Sequence, residues 1–418
     1  MRVAVIGAGI VGVTTAYELA LAGHEVVVFE RRASVAAEAS FANAGVVAPG
    51  YVTPWAAPGM PLKVLRHLLS RDASVRFGGL NALGHASWLW RWWRACRRSV
   101  HTPNRSAMHR LAVFSKARQQ EIARTLDLDY EQVAGYLVLL RTAREVAQAQ
   151  GSLALLREWG VMHELVDATR ARLIEPGLNP ATALQGAIHL PQDGVGNCRQ
   201  FAHALKAEAQ RLGVRFHFDT VVRAVHPGAP AHVEMADGRQ GECEAVVICA
   251  GVEANTLLRG LRLHLPLMPV YGYSVTAPLR AMDGHALPGP RAAVMDERCK
   301  VAISRLGQRV RVAGSAEIGG RPDLLSEAPL RTLYRVLENW FPGAAVTREA
   351  QQWKGARPML PDGPPILGES GAQGVWLNLG HGSSGWALSC GSARVLAERI
   401  GGRESPVDLK DLTLARLR

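Results

Sequence analysis

The first thirty residues constrain this chain more than any other stretch. Val3-Ala-Val-Ile-Gly-Ala-Gly-Ile-Val-Gly12 is an apolar run that closes on glycines spaced GxGxxG. A helical pattern follows, then a Gly23-His24 turn, Val26-Val-Val-Phe29 and Glu30. Strand, glycine turn, helix, strand and acid make a βαβ unit of the dinucleotide-binding kind. Gly7 permits the tight turn, Gly9 lets a pyrophosphate approach the backbone, and Gly12 lets the helix lie close on the sheet. The helix N-terminus, opened by Ile10 and Val11, faces the phosphate charge. Glu30 ends the second strand, where a carboxylate accepts hydrogen bonds from both ribose hydroxyls, and Arg31 follows it. The bare glycine spacing is a weak signal. With both strands, the helix and the acid in place it specifies an adenine dinucleotide.

Later segments discriminate between dinucleotides. Ala245-Val-Val-Ile-Cys-Ala-Gly251 reads as a buried strand returning to the nucleotide unit, with Ala250 and Gly251 at its end. Val375-Trp-Leu-Asn-Leu379 reads as another strand, running into Gly380-His-Gly-Ser-Ser-Gly-Trp386 and a helix from Ala387 to about Ile400. A second glycine turn that opens a second helix offers backbone N–H groups and a positive dipole end to a second anionic centre. The pyrimidine edge of a flavin becomes negative on reduction, and an NAD enzyme has no use for the late element. FAD is therefore the expected cofactor.

Six scattered cysteines form no CxxC pair, which fits a reducing cytoplasm and no structural metal. The first strand begins at Arg2, so no leader peptide is expected. No apolar run reaches 18 residues, so no spanning helix is expected. The formal charge of +12 is compatible with anionic partners, but no nucleic-acid motif accompanies it, so none is expected. The expected fold class is α/β (α+β): a Rossmann-like FAD-binding domain interleaved with a mostly antiparallel substrate domain. Residues 1–50, 190–260 and 353–418 are assigned to the first. Residues 51–189 and 261–352 are assigned to the second, with a helical insertion near 63–125. Pro49, Pro54, Pro58 and Pro61 mark irregular backbone before that insertion.

Several longer motifs go beyond the dinucleotide fingerprint. They are Ser40-Phe-Ala-Asn-Ala-Gly45, Pro49-Gly-Tyr, Pro54-Trp-Ala-Ala-Pro-Gly-Met-Pro-Leu-Lys63, Gly272-Tyr-Ser274, Ala313-Gly-Ser-Ala-Glu317, Trp353-Lys-Gly-Ala-Arg-Pro-Met-Leu-Pro-Asp-Gly363 and Gly380 to Trp386. With these the chain resembles, nearly end to end, the amino-acid-oxidising FAD enzymes of the D-amino acid oxidase and glycine oxidase superfamily. Within it the nearest resemblance is to the bacterial D-amino acid dehydrogenases. Segment 223–240 looks shortened and proline-rich by comparison.

The resemblance implies oxidative deamination of a D-amino acid, or of a D-configured imino acid such as proline or hydroxyproline, with hydride passing to flavin N5. It places Ser40, Asn43, Ala44, Gly45, Val222, Ala250, Gly251, Gly380, Gly382, Ser383, Ser384 and Gly385 at the cofactor, together with the opening glycine turn. Arg357 is the expected anchor of the substrate carboxylate, because its planar fork pairs with a carboxylate bidentately. Tyr271 and Tyr273, two apart on a strand, share a face. One hydroxyl joins the carboxylate clamp or closes the pocket, or both simply pack in the sheet. His381 positions its loop, reaches the isoalloxazine or caps the helix. Arg305 is a weaker substrate candidate, expected at the surface. No general base is assigned, since hydride transfer from a neutral amine needs none.

The resemblance also implies a quinone or another electron-transfer acceptor instead of oxygen. Trp88-Leu-Trp-Arg-Trp-Trp-Arg-Ala-Cys-Arg-Arg98, read as one helix, places Trp88, Leu89, Trp92, Trp93, Cys96 and Val100 on one arc and Arg91, Arg94, Arg97 and Arg98 on the other. That pattern suits a helix at the inner face of the cell membrane or one packed on the core with a solvated basic face. An oxygen-using oxidase of glycine or sarcosine and a non-catalytic flavin electron-transfer subunit are the alternatives.

Overall fold

Strand β1 (Arg2–Ile6) lies inside a six-stranded sheet because almost every residue in it is apolar and buried. In a computed structural model describing residues 1–67, 74–78, 84–280 and 289–417, the order is β18 (Ile366–Glu369), β19 (Val375–Leu379), β12 (Ala245–Ile248), β1, β2 (Glu25–Phe29), β8 (Arg215–His217). All neighbours are parallel except β18 and β19, and Val3 stands between Val26 and Ala245. Apolar runs buried on both faces are what a parallel sheet requires. Helices α1 (Ile10–Leu21), α7 (Cys198–Arg211) and α10 (Gly385–Ile400) share one core with one face of the sheet. Strands β9 (Val222–His226), β10 (Ala231–Met235) and β11 (Gln240–Cys243) form a separate antiparallel sheet. With α8 (Ala254–Leu258) they pack on the opposite face.

The second large sheet has the order β17 (Gln351–Met359), β13 (Met268–Pro278), β16 (Arg309–Ile318), β15 (Val301–Leu306), β14 (Ala293–Asp296), β5 (Val133–Leu140), β7 (Gly186–Val195), β3 (Val46–Val47). Strand β4 (Val75–Phe77) pairs with β16 and β6 (Glu164–Asp167) with β7. Pairing is antiparallel except β14 with β5 and β16 with β4. Helix α9 (Glu327–Trp340) buries Leu333, Val336, Leu337 and Trp340 against the outer face, which presents Tyr273, Val275 and Val312. The remaining helices are α2 (Met60–His67), α3 (Ala86–Ala95), α4 (Arg98–Thr125), α5 (Ala143–Glu158) and α6 (Ala168–Ile174). Helix α4 is tied to the nucleotide unit by a buried ion pair, Arg118 Nε to Glu18 Oε1 at 2.7 Å.

Three sequence expectations need correction. The domain limits at 190 and 353 cut through β7 and β17, both of which belong to the second sheet. Of the strands between 216 and 251, only β8 and β12 join the nucleotide sheet. The helical insertion near 63–125 contains strand β4, and its parts at 68–73 and 79–83 lie outside the described residues.

Candidate functional site

The glycine turn forms a cradle whose two tight contacts are internal. Gly7 takes φ +101°, and a Cβ there would stand 2.7 Å from the Cys249 carbonyl oxygen. A Cβ on Gly12 would overlap the Gly7 carbonyl oxygen, so strand and helix touch backbone to backbone. Gly9 differs. A Cβ there meets only Ser40 Oγ, at 3.6 Å, so this glycine faces space and not protein. Ser40 Oγ accepts the Ile10 amide at 3.0 Å, and the first backbone bond of α1 runs from Val13 to the Gly9 carbonyl. Among the described residues the Val11 and Gly12 amides have no protein acceptor, which is the arrangement that receives an anion at a helix N-terminus. Glu30 is fixed before any ligand arrives, Oε2 accepting the Ala8 amide at 2.6 Å and Oε1 the Arg32 amide at 2.8 Å. Arg31 is occupied with Glu38 and Glu253. Ala250 and Gly251 follow β12 beside this turn, and half-buried Val222 opens β9.

The segment Ser40–Gly45 runs from this cradle to α10. Its Ser40 end meets the first turn of α1, and at its other end the Gly45 carbonyl accepts Trp386 Nε1 at 3.1 Å. Asn43 Oδ1 accepts the Gly45 amide at 3.0 Å and so closes the loop on itself. The second sheet holds the loop from behind, with Ser274 Oγ donating to the Ala42 carbonyl and Ser304 Oγ to the Ala44 carbonyl, both at 2.8 Å. Gly380, His381, Gly382, Ser383, Ser384 and Gly385 form the turn into α10, whose N-cap, Ser384, makes no side-chain cap. His381 is buried, and burial lowers its pKa to about 3. Ser392 Oγ donates its proton to the Leu388 carbonyl, so His381 Nε2, at 2.9 Å, must be the donor to Ser392 Oγ. His381 is thus a neutral ring that pins its loop to α10.

Arg357 lies in the middle of β17, and its register partner on β13 is Val270. A Cβ on Gly272 would overlap the Arg357 guanidinium, so the side chain lies flat over that glycine, on the face that also carries Ser274. Nη1 donates to the Ser315 carbonyl at 2.8 Å, and among the described residues no carboxylate pairs with it. Burial lowers its pKa to about 10. Ser315 adopts φ +65° opposite the register shift between Tyr271 and Tyr273, and its own hydroxyl is buried without a partner. A dehydrated cation whose hydrogen bond among the described residues goes to a neutral carbonyl has the electrostatics that suit an anionic ligand.

The tyrosines share a face as expected, but not the face of Arg357. Lys354, the register partner of Tyr273, sits over both rings, 4.5 Å from Tyr271 and 5.2 Å from Tyr273. Tyr273 is 1% exposed, packs in the core beneath α9, and donates to Glu317 Oε2 at 2.5 Å. Lys354 Nζ stands 2.8 Å from the same oxygen. Burial alone would raise the Glu317 pKa, but hydrogen bonds from Lys354 and Tyr273 outweigh it and hold the carboxylate ionised. Sheet packing is therefore the reading that fits Tyr273. Arg305, expected at the surface, is 8% exposed and reaches the Pro290 carbonyl.

Trp55, Trp88 and Trp92 cluster with Val270, Ile318 and Met359, beside Arg357. The helical arc read from the sequence is corrected here. Helix α3 ends at Ala95 and α4 starts anew at Arg98, so Val100 belongs to a different helix. Trp93 is 53% and Trp90 54% exposed, and Arg91, Arg94, Arg97 and Arg98 are exposed with them.

Sequence reading missed Arg311. It is 5% exposed, donating from Nε to Thr276 Oγ1 at 2.8 Å and from Nη1 to the Asn43 carbonyl at 3.1 Å. The alternation Arg309-Val-Arg-Val312 resembles a strand with one solvated face, and nothing local reveals that Arg311 is buried.

The profile of the DAO family, FAD dependent oxidoreductase, matches residues 2–399, and the chain belongs to that family. Among its relatives are proteins named D-amino acid dehydrogenase. One from Bradyrhizobium diazoefficiens is 38% identical over all of this chain and 99% of its own length. Another, from Cereibacter sphaeroides, is 40% identical over all of this chain and 95% of its own. Solved structures share the fold, two of them as follows. Glycine oxidase from Geobacillus kaustophilus has a TM-score of 0.77 at 22% identity, covering 99% of both chains. L-proline dehydrogenase from P. horikoshii has a TM-score of 0.75 at 18% identity, covering 100% of this chain and 97% of its own.

Proposed function

We propose that this chain binds FAD and oxidatively deaminates D-amino acids, with Arg357 holding the substrate carboxylate. The observation that carries the site assignment is Arg357 itself, a dehydrated guanidinium on the sheet face that meets the Ser40–Gly45 loop, with a carbonyl and no carboxylate as its partner among the described residues. The D-amino acid class rests on the relatives named D-amino acid dehydrogenase at 38–40% identity over the whole chain.

The cradle fits a flavin dinucleotide. Gly9 leaves space where a side chain would intrude, the Val11 and Gly12 amides await an anion, and Glu30 is already oriented. Gly7, Gly9, Ile10, Val11 and Gly12 would hold the pyrophosphate and Glu30 the ribose, with Arg31, Val222, Ala250 and Gly251 at the adenosine end. Ser40, Asn43, Ala44, Gly45 and the turn Gly380, Gly382, Ser383, Ser384 and Gly385 would flank the ring. His381 holds that turn in place. Bound FAD supplies the hydride acceptor. Arg357 fixes the α-carbon by its carboxylate, and the substrate amine must be neutral, so the chain need offer no base. Water hydrolyses the imino acid product to a 2-oxo acid and ammonia. The two large sheets correspond to a cofactor-binding and a substrate-binding unit.

The proposed acceptor is a membrane quinone, met at the inner face of the cell membrane. The support is the exposed Trp90, Trp93 and four-arginine surface of α3 and the start of α4. No helix among the described residues is long and apolar enough to cross a membrane. The deamination reading is tested by mixing purified yellow protein with D- and L-amino acids without oxygen. Bleaching of the flavin by D-amino acids is expected. A flavin bleached only by L-amino acids, or by none, removes the reading.

A further inference from the structure

We infer that Arg311 places a fixed positive charge against the isoalloxazine end of the proposed cofactor site and thereby favours the reduced state of the bound flavin. This rests on the reading that the chain holds FAD. Three neighbouring carbonyls of the 40–45 loop are held by the second sheet: Ala42 by Ser274, Asn43 by Arg311, Ala44 by Ser304. Two of the three are held by neutral hydroxyls, so fastening this loop does not require a cation. At the position between them the chain nevertheless buries a guanidinium. Both its hydrogen-bond acceptors, Thr276 Oγ1 and the Asn43 carbonyl, are neutral, and among the described residues no carboxylate forms an ion pair with it. Burying an ion without a counter-ion is costly. Burial and the repulsion of Arg309 accordingly lower its pKa to about 10.

The loop's course says which end of the cofactor the charge faces. Ser40 touches the first turn of α1, where the phosphates belong, and Gly45 is bonded to Trp386 in the first turn of α10. Asn43 lies beyond the midpoint, towards α10. Reduction by hydride adds two electrons and one proton, leaving one negative charge on the ring system when no second proton follows. A nearby buried cation stabilises that charge, and low dielectric magnifies the effect. Arg311 is therefore a positioning residue with an electrostatic role. It is distinct from Arg357, four β13 residues away by register, or roughly 13 Å.

The test is the midpoint potential of the flavin in the holoenzyme, measured against reference dyes for wild type, Arg311→Gln and Arg311→Lys. The Gln variant keeps a donor for Asn43 but loses the charge, and Lys keeps the charge. Arg311→Gln should shift the two-electron equilibrium by about tenfold towards the oxidised form, a drop of about 30 mV. Arg311→Lys should stay within about threefold of wild type. An unchanged potential in Arg311→Gln, or equal shifts in both variants, overturns the proposal. If Arg311→Gln purifies without flavin, the apoproteins are titrated with oxidised and with reduced FAD. A larger loss of affinity for the reduced form supports the proposal. Equal losses, or no binding of either form, leave Arg311 a purely structural peg and refute it. A wild-type protein that holds no flavin would instead defeat the underlying reading.

Discussion

Replacing Arg357 by Met should make the enzyme worse and the protein more stable, and the combination is diagnostic. The lowering of its pKa to about 10 corresponds to roughly 3 kcal/mol of dehydration. The site is half-buried, so screening leaves on the order of 1–2 kcal/mol recoverable when the charge is removed. The lost bond to the Ser315 carbonyl offsets about 1 kcal/mol of that. Substrate-free Arg357→Met holoenzyme should therefore melt no lower than wild type and up to about 1 °C higher. Its kcat/KM should fall by the cost of unpairing a buried carboxylate, about 2–5 kcal/mol. That is about 30-fold to several thousandfold. Arg357→Lys should recover part of the loss, since an ammonium keeps the charge without the fork. The assays are dye-linked turnover with a D-amino acid and thermal melting followed by flavin release. A variant that melts well below wild type and loses flavin would show Arg357 to be a structural cation. Near-normal kinetics would remove it from the site.

Gly9→Val should yield folded but colourless protein, because the added side chain enters open space, whereas Gly12→Ala should damage folding by overlapping the Gly7 carbonyl; far-ultraviolet dichroism and flavin absorbance separate the two, and a yellow Gly9→Val protein would reassign the cradle. His381 is held neutral when folded, with its pKa lowered to about 3. Its contribution is therefore present above its unfolded value of about 6.5 and lost as pH falls below that. At pH 5 about 2 kcal/mol should be lost, and His381→Asn should flatten that part of a denaturation profile; an unchanged profile counts against a buried neutral ring. Wild type should sediment with anionic vesicles at low salt and dissociate as salt rises. Trp90→Ser with Trp93→Ser should weaken that binding while leaving dye-linked turnover intact, and indifference of wild type to vesicles would end the membrane reading.

The nucleotide unit was legible in the sequence because its signals are local. Glycine spacing, two apolar strands and an acid at fixed offsets specify one supersecondary unit, and β1, α1, β2 and Glu30 stand where those offsets put them. What failed was non-local. A strand's own pattern does not name its partner, so β7 and β17 were divided wrongly between the two units. Strand parity places Tyr271 and Tyr273 on one face but cannot say that Arg357, on the neighbouring strand, occupies the other. The tryptophan arc assumed one continuous helix, whereas Arg97 adopts extended backbone (ψ 143°) and the chain restarts as α4, which takes Val100 off the arc; Trp93, within α3 itself, faces solvent.

The same distinction explains where the charges sit. The groups proposed for the dinucleotide phosphates are backbone amides in a glycine turn, recognisable from spacing alone. The two cations assigned to substrate and flavin ring instead project from the interiors of β17 and β16. An unpaired buried guanidinium is worth its dehydration only if its position is fixed before the anion arrives, because a mobile cation would turn back to water. Strands of nine and ten residues, hydrogen-bonded to neighbours and backed by the Glu317–Lys354 pair and α9, supply that rigidity. Tyr273, which does not face Arg357, thus contributes from behind, by fastening Glu317 to the sheet that aims both arginines. Tyr273→Phe should accordingly leave the substrate specificity unchanged and lower thermal stability by about 1 kcal/mol, the worth of one buried hydrogen bond. A selective loss of substrate affinity in that variant would return the tyrosine to the site.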